Sequence, residues 1–545
     1  MKKSIILFAF ISHCLLNSIL LYAQDPAWLW AKSAGGISMD YPQSIAVDAS
    51  GNIYMAGCFY SPTLILGLDT LRRIGKIDIF LVKYDANGNV LWAKSTGGLE
   101  KDCAMSIALD ATGNPYVVGF FESSTITFDT IVLTNVGNGD LFVAKYDTSG
   151  DVLWAKSAGG LDRDAAYSVA VDVSGNAYVT GEFYSSIMSF GSNSLSNAGE
   201  CDIFVAKYDS EGTIVWTVRS GETGFDKARS IAVDASANIF LTGFFDSPLL
   251  IVGSDTLFNE GMEDVFLAKF NVNGNVLWAN RIGDSLNEFD PYLAVEPSGN
   301  IYLTGTFNST TLTFGNTILV NQGAVDIFLT KYDSSGHILW ATDAGSWGCE
   351  YPKSIAVDAD GCAYVWGDFN YISITFGTIT LTNNHSPSSD MFLAKFDTSG
   401  DVLWAKKSGG TDIDYAMSLA FDLSENFYVA GCYLSPSITF GYTTLTNSDN
   451  NFDIFLSKSG SNIGINERMK SSNISVYPNP ASSFLTVESD QLGELTVMDI
   501  QGNSVMRQAI TQPTTTIDVK GMKSGIYIVK IVGEKGVQVG KFIKE

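Results

Sequence analysis

Between residues 28 and 458 the chain alternates short apolar runs with polar turns, and the runs return in a fixed order. One tryptophan marks the period: Trp30, Trp92, Trp154, Trp216, Trp278, Trp340 and Trp404, with five intervals of 62 residues and a last one of 64. A constant period of this kind sets the architecture before any single residue does. With variations, each unit reads VLWAKSAGG, SIAVD, a D-x-x-G-N turn, IYVTGF, a Ser/Thr-rich connection and DIFLAKYD. These runs are short and rich in Val, Ile, Phe, Tyr and Trp, and turn residues bound them, as in strands. No run keeps a helical period. The repeated region is predicted to be all β.

SIAVD is taken as strand a, IYVTGF as b, DIFLAKY as c and VLWAK as d. Tight turns such as Asp48-Ala49-Ser50-Gly51-Asn52 and Asp85-Ala86-Asn87-Gly88-Asn89 join the antiparallel neighbours. In them Asp bonds the backbone two residues on and Gly supplies positive φ. Four strands per repeat is one propeller blade. The chain starts on a lone strand d (Trp28 to Ser33) and the repeats end on a, b and c near Lys458. These ends predict mutual completion, which removes an exposed edge. The expected fold is a seven-bladed β-propeller over 24–460, followed by a small Ig-like β-sandwich. The seven tryptophans and the phenylalanines of strand c (Phe80, Phe142 and equivalents) are expected to fill the spaces between blades, against the recurring glycine of strand b (Gly57, Gly119 and equivalents).

Through SIAVD…GN.Y..G…D.F..K.D..G..LW…GG, the units resemble the SBBP-type β-propeller repeat family over about residues 25–460. Repeat 5 departs most, with Tyr292-Leu293-Ala294-Val295-Glu296 in place of SIAVD. The resemblance implies a fold and little chemistry.

After the repeats, 461–471 reads as a polar linker. Beyond it stand Tyr477-Pro478-Asn479-Pro480, Leu485-Thr486-Val487, Met498-Asp499-Ile500-Gln501-Gly502, a strand from Gly525 through Tyr527 and Lys530, and a last strand bearing Lys541. Alternating short strands with turns suggest a small β-sandwich. In order and spacing these motifs resemble the type A sorting domain of the type IX secretion system, over about 472–545. That resemblance implies the type IX machinery as a partner, passage across the outer membrane, and a secreted or outer-membrane surface location reached through the periplasm. At the other end, Lys2 and Lys3 precede the apolar stretch Ile5 to Ile11, and Leu21-Tyr22-Ala23 precedes a cut at Gln24. Residues 1–23 therefore read as a signal peptide. No later run is long and apolar enough to span a bilayer.

Six cysteines follow the leader: Cys58, Cys103, Cys201, Cys349, Cys362 and Cys432. They form no CxxC pair, and buried small hydrophobes is the favoured reading. Cys58 and Cys432 share a repeat position, which leaves one bridge open.

Charge narrows the partners. The chain carries 33 Lys and Arg against 58 Asp and Glu, a net charge of −25. Such a balance disfavours nucleic acid and anionic membrane, which both call for neutralising cations. Much of the acid is periodic. One set ends strand a (Asp48, Asp110, Asp172, Asp234, Glu296, Asp358, Asp422) and another opens strand c (Asp78, Asp140, Asp202, Asp264, Asp326, Asp390, Asp453). A third follows each tryptophan by ten residues: Asp40, Asp102, Asp164, Asp226, Glu288, Glu350 and Asp414. The second and third sets are placed on one face of the ring. There a calcium-type site from the third set competes with the plainer reading, that each acid locks its own loop. Sevenfold repetition favours the plainer reading, and no cofactor is expected. The strand-c lysines (Lys83, Lys145, Lys207, Lys269, Lys331, Lys395, Lys458) are read as exposed partners of the turn acids.

Only His337 and His385 follow the leader, in different repeat positions, which disfavours a multi-histidine metal site or a Ser-His-Asp triad. Arg219, Arg229 and Arg281 break the repeat and are the best candidates for recognising an anion. The variable b–c connection is read as the specificity-bearing loop. A monomeric, non-enzymatic binding scaffold for protein or glycan is the expected function; a carbohydrate-active or other extracellular hydrolase built on the propeller is the alternative.

Overall fold

A computed structural model describes residues 26–460, 474–489, 491–499, 504–533 and 536–545. The predicted leader (1–23) and linker (461–471) lie outside the described residues. The chain divides into two compact units, Met1–Ser461 and Asn462–Glu545.

The first unit is all β and propeller-like. Asp40–Val47, Ile53–Phe59, Asp78–Tyr84 and Val90–Thr96 form its first antiparallel sheet in the order a, b, c, d, and the next five repeats do the same. In the seventh, Asp414–Phe421, Phe427–Tyr433 and Asp453–Gly460 are completed by Ala27–Ala34 from the other end of the unit. Residues pair there from Ala27 with Gly460 to Ala34 with Ile454. Strands b and c are buried on both faces, which is why they read as continuous apolar runs. A β-carbon on Gly57 would lie 2.1 Å from the Tyr41 carbonyl and 2.9 Å from the Phe80 ring, so that position accepts only glycine.

Three repeated devices join each sheet to the next. The serine of SIAVD accepts a hydrogen bond from strand a of the following sheet: Ile107 N to Ser44 Oγ (3.3 Å), Val169 N to Ser106 Oγ (3.3 Å) and Ile231 N to Ser168 Oγ (3.2 Å). The same series runs from the seventh sheet to the first, Ile45 N to Ser418 Oγ at 3.1 Å. Tyr292, the departure in repeat 5, removes the serine hydroxyl for one step. Second, the strand-d tryptophans from Trp30 to Trp340 donate their indole N–H to the c–d turn of the next sheet, for example Trp154 Nε1 to Ser210 O (2.9 Å) and Trp340 Nε1 to Thr398 O (2.8 Å). The tryptophan rings thus lie between sheets, against the turn glycine of the next one, as Trp92 does at Gly150, and Trp154 and Trp404 are buried. Third, the acid opening strand c faces the acid opening strand a of the next sheet.

Two expectations need correction. The strand-c lysines are buried: Lys83, Lys145 and Lys331 are 7%, 7% and 6% exposed. Each lies over the ring of Tyr54, Tyr116 or Tyr302 at 4.5–4.8 Å, and pairs with the acid that ends strand a, most closely Lys331 with Glu296 at 2.7 Å. The aliphatic stem fills apolar space while the ammonium meets ring and carboxylate together. The b–c connection, expected as a variable loop, is a regular hairpin in every repeat, Thr63–Leu66 with Asp69–Arg72 in the first. Its Leu64, Leu66 and Leu71 are buried in one core with Ala34 of the preceding strand d. The landmarks that recur in it are the packed half of that hairpin.

Cys58 is bonded to Cys103, joining sheets 1 and 2, and Cys432 stays a buried thiol. The bridge left open between Cys58 and Cys432 is not formed. A 45-residue separation closed by this bond predicts that the Cys58→Ala/Cys103→Ala double variant loses about 2–4 kcal/mol in urea unfolding. An unchanged midpoint would show that the bond adds nothing.

The C-terminal unit is two antiparallel sheets. One holds Ser475–Tyr477, Phe484–Glu488 and Thr514–Asp518; the other holds Ser504–Ile510, Gly493–Met498, Gly525–Gly533 and Gly536–Lys544. Leu485, Val487, Leu495, Val497, Ile531 and Phe542 are among its core.

Candidate functional site

Strand a borders the middle of the repeat unit, so its second and fourth side chains, with their strand-b neighbours, escape the constraints that keep the rest of the repeat alike. At the second position stand Tyr41, Cys103, Ala165, Lys227, Phe289, Tyr351 and Tyr415; at the fourth, Gln43, Met105, Tyr167, Arg229, Pro291, Lys353 and Met417. The walls therefore differ from sheet to sheet.

On the side of sheets 7, 1 and 2 they enclose a cleft of about 630 Å³, lined by Tyr41, Tyr60, Lys101, Phe120, Glu122 and Arg163 among others. Tyr41 meets Tyr60 edge-on at 6.0 Å, and the Arg163 guanidinium lies 5.0 Å from the Phe120 ring. Aromatic faces beside charged tips suit a ligand with both apolar and polar surface. Lys101 and Glu122 have no ion pair among the described residues.

On the side of sheets 3 to 6 the same positions carry a charged network. Glu182 accepts from Tyr167 (2.9 Å) and Arg163 (3.1 Å), with Lys227 at 3.8 Å. Arg229 lies 3.5 Å from Asp290, between the rings of Tyr167 and Phe244. Burial pushes the Tyr167 hydroxyl up to about 12. Burial likewise pushes Asp368 up to about 7, opposed by nearby Lys353, and its Oδ1 has no hydrogen-bond partner.

The acids considered for a cation do not converge. Asp40, Asp102, Asp164, Asp226 and Asp414 each accept a serine hydroxyl of their own sheet (Ser61, Ser123, Ser185, Ser247, Ser435) at 2.7–2.8 Å. Glu350 accepts from Ser346 Oγ at 3.0 Å, and Glu288 from the Asp284 N–H at 2.9 Å. All seven are 0% exposed. Among the described residues, no group of three or more His, Cys, Asp or Glu side chains is placed to hold a metal. Each carboxyl locks the start of strand a.

The three arginines do not form one patch. Arg219 and Arg281 hold equivalent places on strand d and neutralise Asp202 (2.6 Å) and Asp264 (2.9 Å), as Lys407 does Asp390 (2.7 Å). Only Arg229 reaches the central walls. Periodicity shows that these residues break a pattern; which face of the sheet they break it on comes from the fold.

In the C-terminal unit, Tyr477, Pro478, Asn479 and Pro480 are exposed. Asn479 clamps the last strand, donating to Lys541 O (3.2 Å) and accepting from Ile543 N (2.9 Å). Gly525 opens the strand that carries Tyr527 and Lys530 and pairs along its length with Gly536–Lys544. The Tyr527 ring stacks on Phe542 at 5.5 Å, and its hydroxyl donates to Lys523 O (2.9 Å). The motif thus ties the final strand to the sandwich.

Among the described residues, no helix is long and apolar enough to cross a membrane. Among known proteins, the chain is similar to an uncharacterised WD repeat-containing protein of Acanthamoeba polyphaga mimivirus (26% identical, 78% of this chain, 37% of that protein). It is also similar to the regulatory protein FlaEY of Caulobacter vibrioides (24% identical, 54% of this chain, 33% of that protein). The chain thus spans about a third of the length of these curated relatives. Among solved structures it resembles the Pan2 WD40 domain of Neurospora crassa (11% identical, TM-score 0.31, 65% of this chain and 88% of that one). Another is PorZ, a surface component of the type IX secretion system of Porphyromonas gingivalis (10% identical, TM-score 0.24, 94% and 100% covered). The C-terminal unit has a family of its own: residues 475–545 match the Secretion system C-terminal sorting domain, and such a tail implies export by the type IX route to the cell surface or beyond.

Proposed function

We propose that the repeat unit is a closed seven-bladed β-propeller of the SBBP type, that the C-terminal unit is an Ig-like sandwich of the type A sorting class, and that the exported whole is a non-catalytic binding scaffold. The ligand, a protein or a glycan, enters the cleft beside Tyr41, Tyr60 and Phe120. One observation carries this reading: residues that build the sheets recur in every repeat, while no two sheets present the same pair at the second and fourth positions of strand a. A purely structural ring has no use for seven different walls.

Glycan and protein arrays probed with the full chain and with the Phe120→Ala/Tyr60→Ala variant test it. Binding by the parent should fall at least about tenfold in the variant, with the thermal midpoint held. Turnover of a bound polymer, abolished by a single substitution in the Asp368–Lys353 region, would replace this reading with a hydrolase.

A further inference from the structure

We infer that the face carrying the cleft also bears a docking arc for a second protein, over the junctions joining sheets 7, 1, 2 and 3, and that the docked segment pairs apolar side chains with acidic ones. At each junction the loop before strand c lies on the loop before strand a of the next sheet. A β-carbon on Gly75 would meet Gly98 O at 2.2 Å and the Leu99 carbonyl carbon at 2.7 Å; one on Gly137 would meet Gly160 O and Leu161 O, both at 2.3 Å. These contacts bring Ile74 beside Leu99 and Val136 beside Leu161.

The four are large, aliphatic and open to solvent: 66%, 74%, 64% and 73% exposed. Ile37, at the next junction back, is 70% exposed. The equivalent positions on the following two junctions are Ala198 with Thr223 and Glu260 with Ser285. The same loops thus fold with polar residues, so the aliphatic ones are not needed for the fold. An exposed apolar group repeated on one arc marks an interaction surface.

Charge selects the occupant. Arg72, Arg73, Lys76 and Lys101 stand around Ile74 and Leu99, against Glu100 and Glu122, in a chain whose net charge is −25. Arg73 is held by the carbonyls of Gly75 and Lys76, and Lys76 pairs with Glu100, while Lys101 has no ion pair among the described residues. A local excess of cations on an acidic protein attracts an acidic partner. An anionic lipid surface would meet the same four cations but be repelled by the rest of the molecule. Lys101 and Glu122 also line the cleft, so the surface adjoins it, while Ile74, Leu99, Arg72, Arg73 and Lys76 do not line it; the surface does not require that the cleft bind anything.

The test uses the full chain and fluorescence anisotropy with two labelled peptides of equal apolar content, one with glutamates flanking leucines and one with lysines. The glutamate peptide should bind and the lysine peptide should not. Ile74→Asp/Leu99→Asp should weaken binding at least about tenfold, and Arg72→Glu/Lys76→Glu should reverse the preference. Phe120→Ala, in the cleft, should leave the peptide bound, which separates this surface from the cleft. Each residue changed in the arc is exposed, so an unchanged thermal midpoint confirms folding. Equal binding of both peptides, or no effect of Leu99→Asp, overturns the inference. So does tighter binding to vesicles containing phosphatidylglycerol, which makes the occupant a membrane. Concentration-dependent dimerisation abolished by Leu99→Asp makes it a second copy of the chain.

Discussion

A chain lacking Ala27–Ala34 should unfold, or lose about 5–10 kcal/mol of stability in urea titration. That strand completes the seventh sheet, and its pairing runs the whole length of Asp453–Gly460. Trp28 packs edge-on against Phe427 at 5.8 Å and Phe440 at 5.0 Å, and Ser457 and Ser459 hydroxyls donate to Trp30 O and Ala27 O, both at 2.9 Å. Losing two packed tryptophans is worth about 3–5 kcal/mol apiece, comparable with the whole stability of an ordinary domain. The bared edge of Asp453–Gly460, whose side chains are mostly buried, would also recruit other chains. A circular permutant with 27–34 joined after Gly460 should fold and recover the midpoint. If the truncated chain melts like the parent, the two ends do not close a ring.

Stability should peak in mild acid, near pH 5, and the thermal midpoint should fall by about 5–10 °C between pH 5 and 8.5. The cause is the set of paired acids at the sheet junctions. Burial pushes Asp40, Asp140, Asp164, Asp226 and Asp326 up to about 6, Glu288, Asp414 and Asp453 to about 7, and Glu350 to about 8. A neighbouring carboxylate across the junction adds to the rise, as Asp164 does for Asp140 and Asp326 for Glu350.

The folded chain therefore holds protons that the unfolded chain releases above about pH 4. This stabilisation is complete below the unfolded carboxyl pKa and is lost as pH rises through about 6 to 8. The turn acids act oppositely. Backbone and asparagine donors hold Asp85, Asp172 and Asp422 below their ordinary value, the Thr112 hydroxyl with Asn114 does so for Asp110, and Lys331 with Tyr302 brings Glu296 down to about 2. Their contribution is present above about pH 4 and is lost on further acidification. Melting curves from pH 3 to 9 at fixed ionic strength check both limbs. In Asp326→Asn the alkaline limb should flatten in part, because Glu350 no longer faces a second ionisable carboxyl. A profile level from pH 5 to 8.5 would exclude the junction pairs as its cause.

The legible parts of the molecule were those that every repeat shares. Strand order, the Asp-x-x-Gly-Asn turns and the glycine beneath Phe80 could be read from one unit and checked in six others. Asp48 does accept from Ser50 N and Asn52 N at 2.9 Å each. The b–c hairpin was missed because its Ser and Thr content resembles a loop, although Leu64, Leu66 and Leu71 carry its alternation. The buried lysines were misread as surface residues because charge in a sequence says nothing of the ring it lies against. Arg219 and Arg281 stood out only as departures, and a departure does not say whether its charge is already matched.

The amino-acid order alone determined how often the unit recurs, which segments become strands and where the chain must be joined to itself. Local propensity and a repeated spacing are properties of neighbours along the chain, and they survive without knowing the fold. The tertiary structure decided which positions face the middle, which acid meets which across a junction, that Cys58 bonds Cys103, and which aliphatic residues remain in water. Those depend on atoms brought together from different sheets, 24 residues apart for Asp140 and Asp164 and 45 for Cys58 and Cys103, and backbone periodicity holds no record of such meetings.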